Sequence, residues 1–305
     1  MRLFSILLLL LLNASLLFAL EVQPIPLVMN VEPNKVRLGK KLFFDPILSK
    51  DGTISCASCH NLQAGGDDNL QFSFGIYGQR GEINSPTVFN SVFNFRQFWD
   101  GRAKDLQEQA IGPIENPLEM GNTFKNLIVK LKSSPYNEEF LRLYPEGITK
   151  ESITNAIAEF EKSLITPNAP FDKYLRGDRS AISKEAKEGY DLFKSKGCIS
   201  CHHGINVGGN MYNKFGIVSN VKSKSLGRYN VTKRERDKYY FKVPSLRNVE
   251  RTAPYFHDGR HAKLEEAIKD MAYFQLGRPI SDDEIAKIVA FLNALSGELP
   301  QSAKQ

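Results

Sequence analysis

Cys56-Ala57-Ser58-Cys59-His60 and Cys198-Ile199-Ser200-Cys201-His202 together hold all four cysteines of the chain. This spacing is the attachment pattern for c-type haem, in which both thiols form thioethers with porphyrin vinyls and the adjoining imidazole gives iron one axial nitrogen. Two copies imply two covalently bound haem c groups. Cys56, Cys59, Cys198 and Cys201 are then the covalent anchors, and His60 and His202 the iron ligands. No thiol is left over for a disulfide. A four-thiolate zinc centre is the competing use of two Cys-x-x-Cys pairs, but it leaves the histidine after each pair without a role.

Upstream of the first motif, Met1-Arg2 precedes an apolar run that ends at Leu12, followed by Asn13-Ala14-Ser15-Leu16-Leu17-Phe18-Ala19. A basic start, an apolar stretch and a small-residue zone read as a secretory signal peptide over residues 1–20. An uncleaved anchor is the alternative, because Leu17 is a poor residue two places before a cut after Ala19. The run falls short of the roughly 20 apolar residues of a stable spanning helix, and no later stretch could span a membrane. Export suits haem attachment, which takes place outside the bacterial cytoplasm, so the expected location is the periplasm.

About 285 residues remain after the signal, enough for two domains. The expected fold is mostly α: two cytochrome c-like haem domains, residues 21–166 and 167–305, with long loops and little strand. Apolar residues recur at three- and four-residue spacing over 34–44, 125–132, 138–144, 150–165, 183–195, 263–274 and 282–295, which predicts helices there. Thr149, Ser183 and Ser281 stand before acidic residues as capping side chains at helix starts. The 166–170 stretch, Thr-Pro-Asn-Ala-Pro, breaks the pattern and is the expected inter-domain linker. No short-period repeat is apparent beyond the two haem motifs. Formal charge is +6, densest over 222–238 but interrupted by Glu235 and Asp237. That excess suits an acidic protein partner and, without a reading motif or stacking ladder, excludes nucleic acid.

In the first half, Gly- and Asn-rich loops follow the haem motif: Asn61-Leu-Gln-Ala-Gly-Gly-Asp-Asp-Asn69, Gly75-Ile-Tyr-Gly-Gln-Arg-Gly81 and Asn84-Ser-Pro-Thr87. Such loops on a rigid scaffold are where sites sit. Asn84-Ser-Pro-Thr-Val-Phe-Asn90, Phe98-Trp-Asp-Gly-Arg-Ala-Lys-Asp-Leu106, Thr252-Ala-Pro-Tyr-Phe-His-Asp-Gly259 and Gln275-Leu-Gly277 occur in order around both motifs. In these stretches the chain resembles the bacterial dihaem cytochrome c peroxidase family, over nearly all of its mature length. That family also includes a dihaem enzyme that matures a tryptophan-derived cofactor in another protein.

For the second haem, the residues alone offer Met211, Met271, His203, His257 and His261 as sixth ligand. Met271, on an amphipathic stretch, serves equally as ligand or as core filler. The resemblance favours the ligand, and His/Met ligation raises the potential of an electron-accepting haem. At the first haem many family members hold a histidine from the glycine-rich loop on the far face of the iron. Here the matching residue is Ile76, which cannot ligate, and the chain's histidines all lie elsewhere. The expectation is an open distal face, with Tyr77 as a fallback ligand.

Peroxide cleavage needs a group that takes a proton from one oxygen and returns it to the other. Glu119, in Gly112-Pro-Ile-Glu-Asn-Pro-Leu-Glu-Met-Gly121, is the candidate, with Glu115 as competitor. The resemblance gives Glu119 this acid-base role, Gln109 a supporting hydrogen bond, and Trp99 a relay between the haems. It also implies a calcium ion held by Asn84 and by carbonyls of Thr252 and Pro254, and a possible homodimer. From the residues alone, Gln109 reads as a helix-surface amide and Trp99 as a buried hydrophobe. The expected activity is reduction of hydrogen peroxide to water with electrons from a small cytochrome c or cupredoxin. Rivals are a dihaem oxidase acting on a protein substrate, a non-catalytic dihaem electron carrier and a gas sensor. Met271 speaks against the oxidase, which the family associates with tyrosine there.

Overall fold

A computed structural model describes residues 21–304, so the signal-peptide reading of 1–20 lies outside the described residues. The first half comprises α1 (Pro33–Phe44), α2 (Cys56–Cys59), α3 (Leu106–Gln109), α4 (Ile111–Glu115), α5 (Phe124–Lys132), α6 (Tyr136–Leu143) and α7 (Lys150–Lys162). The second adds α8 (Pro170–Leu175), α9 (Lys184–Ser195), α10 (Tyr229–Thr232), α11 (Leu264–Asp270) and α12 (Asp282–Asn293). A short antiparallel ribbon pairs β1 (Tyr212–Lys214) with β2 (Tyr240–Lys242), Asn213 opposite Phe241. The molecule is mostly helical, as two cytochrome c-type domains require.

Each half is built on a crossed helix pair, α1 with α7 and α9 with α12. Helix α1 starts at Pro33, where the Glu32 carboxylate accepts from the amides of Asn34 and Lys35, and it buries Leu38, Gly39, Leu42 and Phe43. Thr149 and Ser152 form a reciprocal capping box on α7, and Ser281 and Glu284 do the same on α12. Both crossings pivot on a glycine. A Cβ on Gly39 would stand 1.9 Å from the Ala156 carbonyl oxygen, and one on Gly189 would stand 1.9 Å from that of Lys287. Around these pivots pack Leu38, Leu42, Ile153 and Ile157 in one half and Phe171, Phe193, Ile288 and Phe291 in the other.

The pivots uncover a repeat that the haem motifs overshadow: Gly39-Lys-Lys-Leu-Phe43 and Gly189-Tyr-Asp-Leu-Phe193. The phenylalanine four residues on approaches the histidine of the Cys-x-x-Cys-His motif in each half, ring centroids 6.5 Å apart for Phe43 and His60 and 6.4 Å for Phe193 and His202. Alanine at Gly39 or Gly189 forces two backbones apart and is expected to cost about 1–3 kcal/mol, the range for overpacking. The denaturation midpoint of the haem-loaded protein measures it, and an unchanged midpoint would refute the pivot.

The 166–170 segment is tightly held. The Thr166 amide donates to Asn90 Oδ1 at 2.8 Å, Asn90 Nδ2 donates to Thr166 Oγ1 at 2.8 Å, and Asn248 Nδ2 donates to the same hydroxyl at 3.0 Å. The two ends of the described segment cross over as well. Residues 21–25 lie on the second half, with the Gln23 amide bonded to the Gly204 carbonyl at 3.2 Å. The buried Arg247–Asp172 pair, 2.7 Å apart, also bonds the Gln23 carbonyl at 2.6 Å. The C-terminal turn returns to the first half, where Ala303 packs with Phe43 and Phe160.

Two predicted helices end differently from expectation. The helix expected over 150–165 stops at Lys162, because Leu164 is drawn off to accept the Asn90 amide with its carbonyl at 2.9 Å. The helix expected over 263–274 is α-helical only to Asp270 and continues as a π turn, Met271–Leu276, closed by Gly277 in the left-handed region. Such a widened turn rotates side chains off the α-helical face and often marks a functional position. Met271 begins it.

Candidate functional site

The first haem motif forms α2 behind Ser55, whose amide donates to the Ser58 hydroxyl at 3.0 Å. The imidazole after it is aimed from behind: Nδ1 of His60 bonds the Gly66 carbonyl at 3.1 Å. In the second half Nδ1 of His202 bonds the Val207 carbonyl at 3.3 Å. A backbone acceptor at Nδ1 fixes the tautomer and leaves Nε2 as the lone-pair donor that iron needs. Burial keeps both rings neutral, pushing His60 down and His202 to about 4. Among the described residues no three His, Cys, Asp or Glu side chains converge on a metal position. The two Cys-x-x-Cys pairs therefore do not form a zinc centre, and the donor sets suit haem.

A large apolar cavity in the second half is lined by Cys198, Cys201, His202, Phe193 and Leu292, and Met271 reaches the same cavity. Thiols, imidazole and thioether thus line one apolar space, with Asn213 Nδ2 at 3.1 Å from the Cys201 sulfur. The wall toward the first half carries Asn84, Trp99, Thr252 and Pro254.

Trp99 is fixed by both halves. Its indole Nε1 donates to the Asn84 carbonyl at 2.9 Å, and its own carbonyl accepts from the Lys242 amide at 2.7 Å. Arg228 of α10's N-cap holds the next carbonyls, Asp100 at 3.1 Å and Gly101 at 3.0 Å. Asn84 is buried; its amide donates to the His257 carbonyl at 2.9 Å and its Nδ2 to the Leu70 carbonyl at 2.9 Å. Its Oδ1 takes no hydrogen bond among the described residues.

In the first half the structure brings the Ile76 and Glu119 loops together. The Ile76 amide donates to the Glu119 carbonyl at 2.8 Å, and Gln79 Nε2 donates to the Pro117 carbonyl at 3.0 Å. Gly75 is required by this approach, since a Cβ there would lie 2.1 Å from the Leu118 carbonyl oxygen. Ile76 is buried with its Cδ1 over Gly121. Tyr77, the fallback ligand, is 69% exposed and its ring is in solvent.

The Glu119 carboxylate accepts from Asn116 Nδ2 at 2.6 Å. Desolvation raises its pKa, opposed in part by that hydrogen bond and by the charge of Arg102. Its competitor Glu115 is exposed. Gln109 ends α3, immediately before the helix that leads into this loop, and its side-chain amide makes no hydrogen bond among the described residues.

Besides the Arg247–Asp172 pair, sequence reasoning passed over three buried charges. Glu161 on α7 is pushed up to about 8 by burial, and Asp67 in the loop after His60 to about 7. Lys242 at the end of β2 is pushed down to about 8. Nothing local marks them, because their burial comes from segments far away in the chain.

Comparison with known proteins agrees with this architecture. Residues 33–180 match the family described as di-haem cytochrome c peroxidase, and residues 186–296 match the cytochrome c family. Cytochrome c551 peroxidase of Nitrosomonas europaea is 50% identical over 283 residues, covering 92% of this chain and 85% of that protein. Cytochrome c551 peroxidase of Pseudomonas aeruginosa is 46% identical over 273 residues, covering 87% and 79%. The crystal structure of a MauG-like protein associated with microbial copper homeostasis has a TM-score of 0.79 at 25% identity, covering 91% of this chain and 93% of that one. With two haem-binding motifs, two cytochrome c-type domains and half of its residues shared with a bacterial peroxidase over most of its length, the chain belongs to the di-haem cytochrome c peroxidase family.

Proposed function

We propose that this chain is a periplasmic peroxidase that reduces hydrogen peroxide to two waters, taking two protons and two electrons, the electrons coming from a small soluble cytochrome c or cupredoxin. Cytochrome c peroxidase activity follows from the 50% identity to the Nitrosomonas europaea enzyme. The two haems, when bound, supply the electron store and the iron that meets peroxide. Cys198, Cys201, His202 and Met271 hold the haem that collects electrons, and Cys56, Cys59 and His60 hold the one that reacts. Trp99, tied to Asn84 and Lys242, is the relay between them. A calcium ion suits the unpartnered Asn84 Oδ1 and the carbonyls of Thr252 and Pro254, because calcium takes oxygen donors. It would brace the wall that carries Trp99.

Glu119 accepts the proton of the nearer peroxide oxygen and returns it to the departing one, while the free amide of Gln109 orients the substrate. The observation that carries this reading is the clasp of the Ile76 loop on the Glu119 loop. It sets a carboxyl of raised proton affinity beside a residue that offers iron no donor. A haem held by Cys56, Cys59 and His60 would find no iron donor in Ile76, and peroxide would need no prior reduction to reach it.

Peroxide turnover by the fully oxidised protein, with electron paramagnetic resonance of the same sample, tests the proposal. A high-spin ferric signal with immediate reaction is expected. Two low-spin signals and no reaction until one electron is added would overturn the open face. A high-spin signal with ligand binding but no turnover would point to a gas sensor.

A further inference from the structure

Lys242 is the last residue of β2 and is 6% exposed. Its Nζ meets no carboxylate, carbonyl or hydroxyl among the described residues, and burial alone disfavours its charge. A buried ammonium without an anion is costly, so a protein that keeps one has something to pair it with. The side chain lines the same cavity as Cys198, Cys201, His202 and Met271. Other cations on that lining already have protein partners: Lys196 pairs with Glu284 at 2.7 Å, and Arg278 donates to the Ser195 carbonyl at 2.9 Å. Lys214 is only half-buried.

A haem c brings two carboxylates into its pocket, on the edge opposite its thioether bonds. We infer that Lys242 is the counter-ion of a propionate of the second haem and that this charge raises the haem's reduction potential. The inference rests on reading the second haem as the electron-collecting one. Pairing removes the propionate's field from the iron, so adding an electron costs less. The backbone of the same residue bonds the Trp99 carbonyl at 2.7 Å, which sets this charge beside the relay segment. Lys242 is thus a positioning and tuning residue, not a catalytic one.

Potentiometric titration of the haem-loaded protein tests this, following each haem by its own spectrum. Lys242→Met keeps the length of the side chain and removes the charge, and Lys242→Arg keeps the charge. In the methionine variant the reduction equilibrium of the second haem is expected to fall at least about tenfold, 59 mV for a one-electron couple. The first haem stays in place, and the arginine variant keeps most of the potential. The propionate bending mode in resonance Raman spectra should move with the charge. An unchanged second-haem potential in Lys242→Met would overturn the pairing, as would an equal fall at both haems. The charge-transfer band of a methionine–ferric iron bond monitors the underlying reading separately. Its absence from the unaltered protein would overturn Met271 ligation, whatever Lys242 does.

Discussion

Glu119→Gln is expected to lower peroxide turnover by about 10²–10⁴-fold, the usual contribution of a positioned acid-base group. Glutamine keeps the size and the partner Asn116 but cannot take up a proton. Haem content, the spectrum of the oxidised protein and the potentials of both haems should be unchanged, which separates a lost proton carrier from a damaged fold. The pH profile gives a second reading. Desolvation raises the Glu119 pKa, so the carboxyl holds its proton to a higher pH than an ordinary glutamate. The reaction needs the unprotonated form to accept the first proton. In the unaltered protein kcat/KM should therefore fall as pH drops through that raised pKa, and the glutamine variant should lack this limb. Retention of both full turnover and the acidic limb would remove Glu119 from the mechanism and return attention to the exposed Glu115.

On the proposed open face, Ile76→His should impose a requirement for prior reduction. An imidazole holding the iron in about 99 of 100 molecules leaves about 1% competent, so turnover by the oxidised protein falls about 100-fold. The spectrum should change from high-spin to low-spin, and one-electron reduction should recover much of the rate. The niche over Gly121 favours this outcome, because it is filled by the Ile76 Cδ1 and an imidazole gains little there compared with a metal bond. The loop itself stays clasped, since the 2.8 Å bond from residue 76 to the Glu119 carbonyl is made by the backbone. A variant that remained high-spin and reacted at the unaltered rate would show that this loop does not face the iron.

Much of the site was legible because it is local or covalent. The Cys-x-x-Cys-His pentapeptides name their cofactor through spacing alone. Thr149, Ser183 and Ser281 cap the helices they precede, each accepting an amide three residues on. Met271 was legible only as one of several donors; its presence in the same cavity as His202 depends on a π turn that helical periodicity does not encode. Tyr77 could be weighed as a ligand on paper, and the fold leaves it 69% exposed.

By itself, then, the sequence determined what lies within a few residues: two haem attachment motifs with a histidine after each, the helix starts and the absence of a histidine from the loop at Ile76. Tertiary structure alone decided which distant groups meet and which lose water. It set Gly39 against Ala156 and Gly189 against Lys287, laid residues 21–25 on the second half and Ala303 on the first, tied Trp99 to Asn84 and Lys242, and clasped Ile76 to Glu119. Proton affinity belongs to this second group. The shifts at Glu119, Glu161 and Lys242 come mainly from desolvation, and desolvation is a property of the surroundings that folding assembles, not of the residue or its neighbours in the chain.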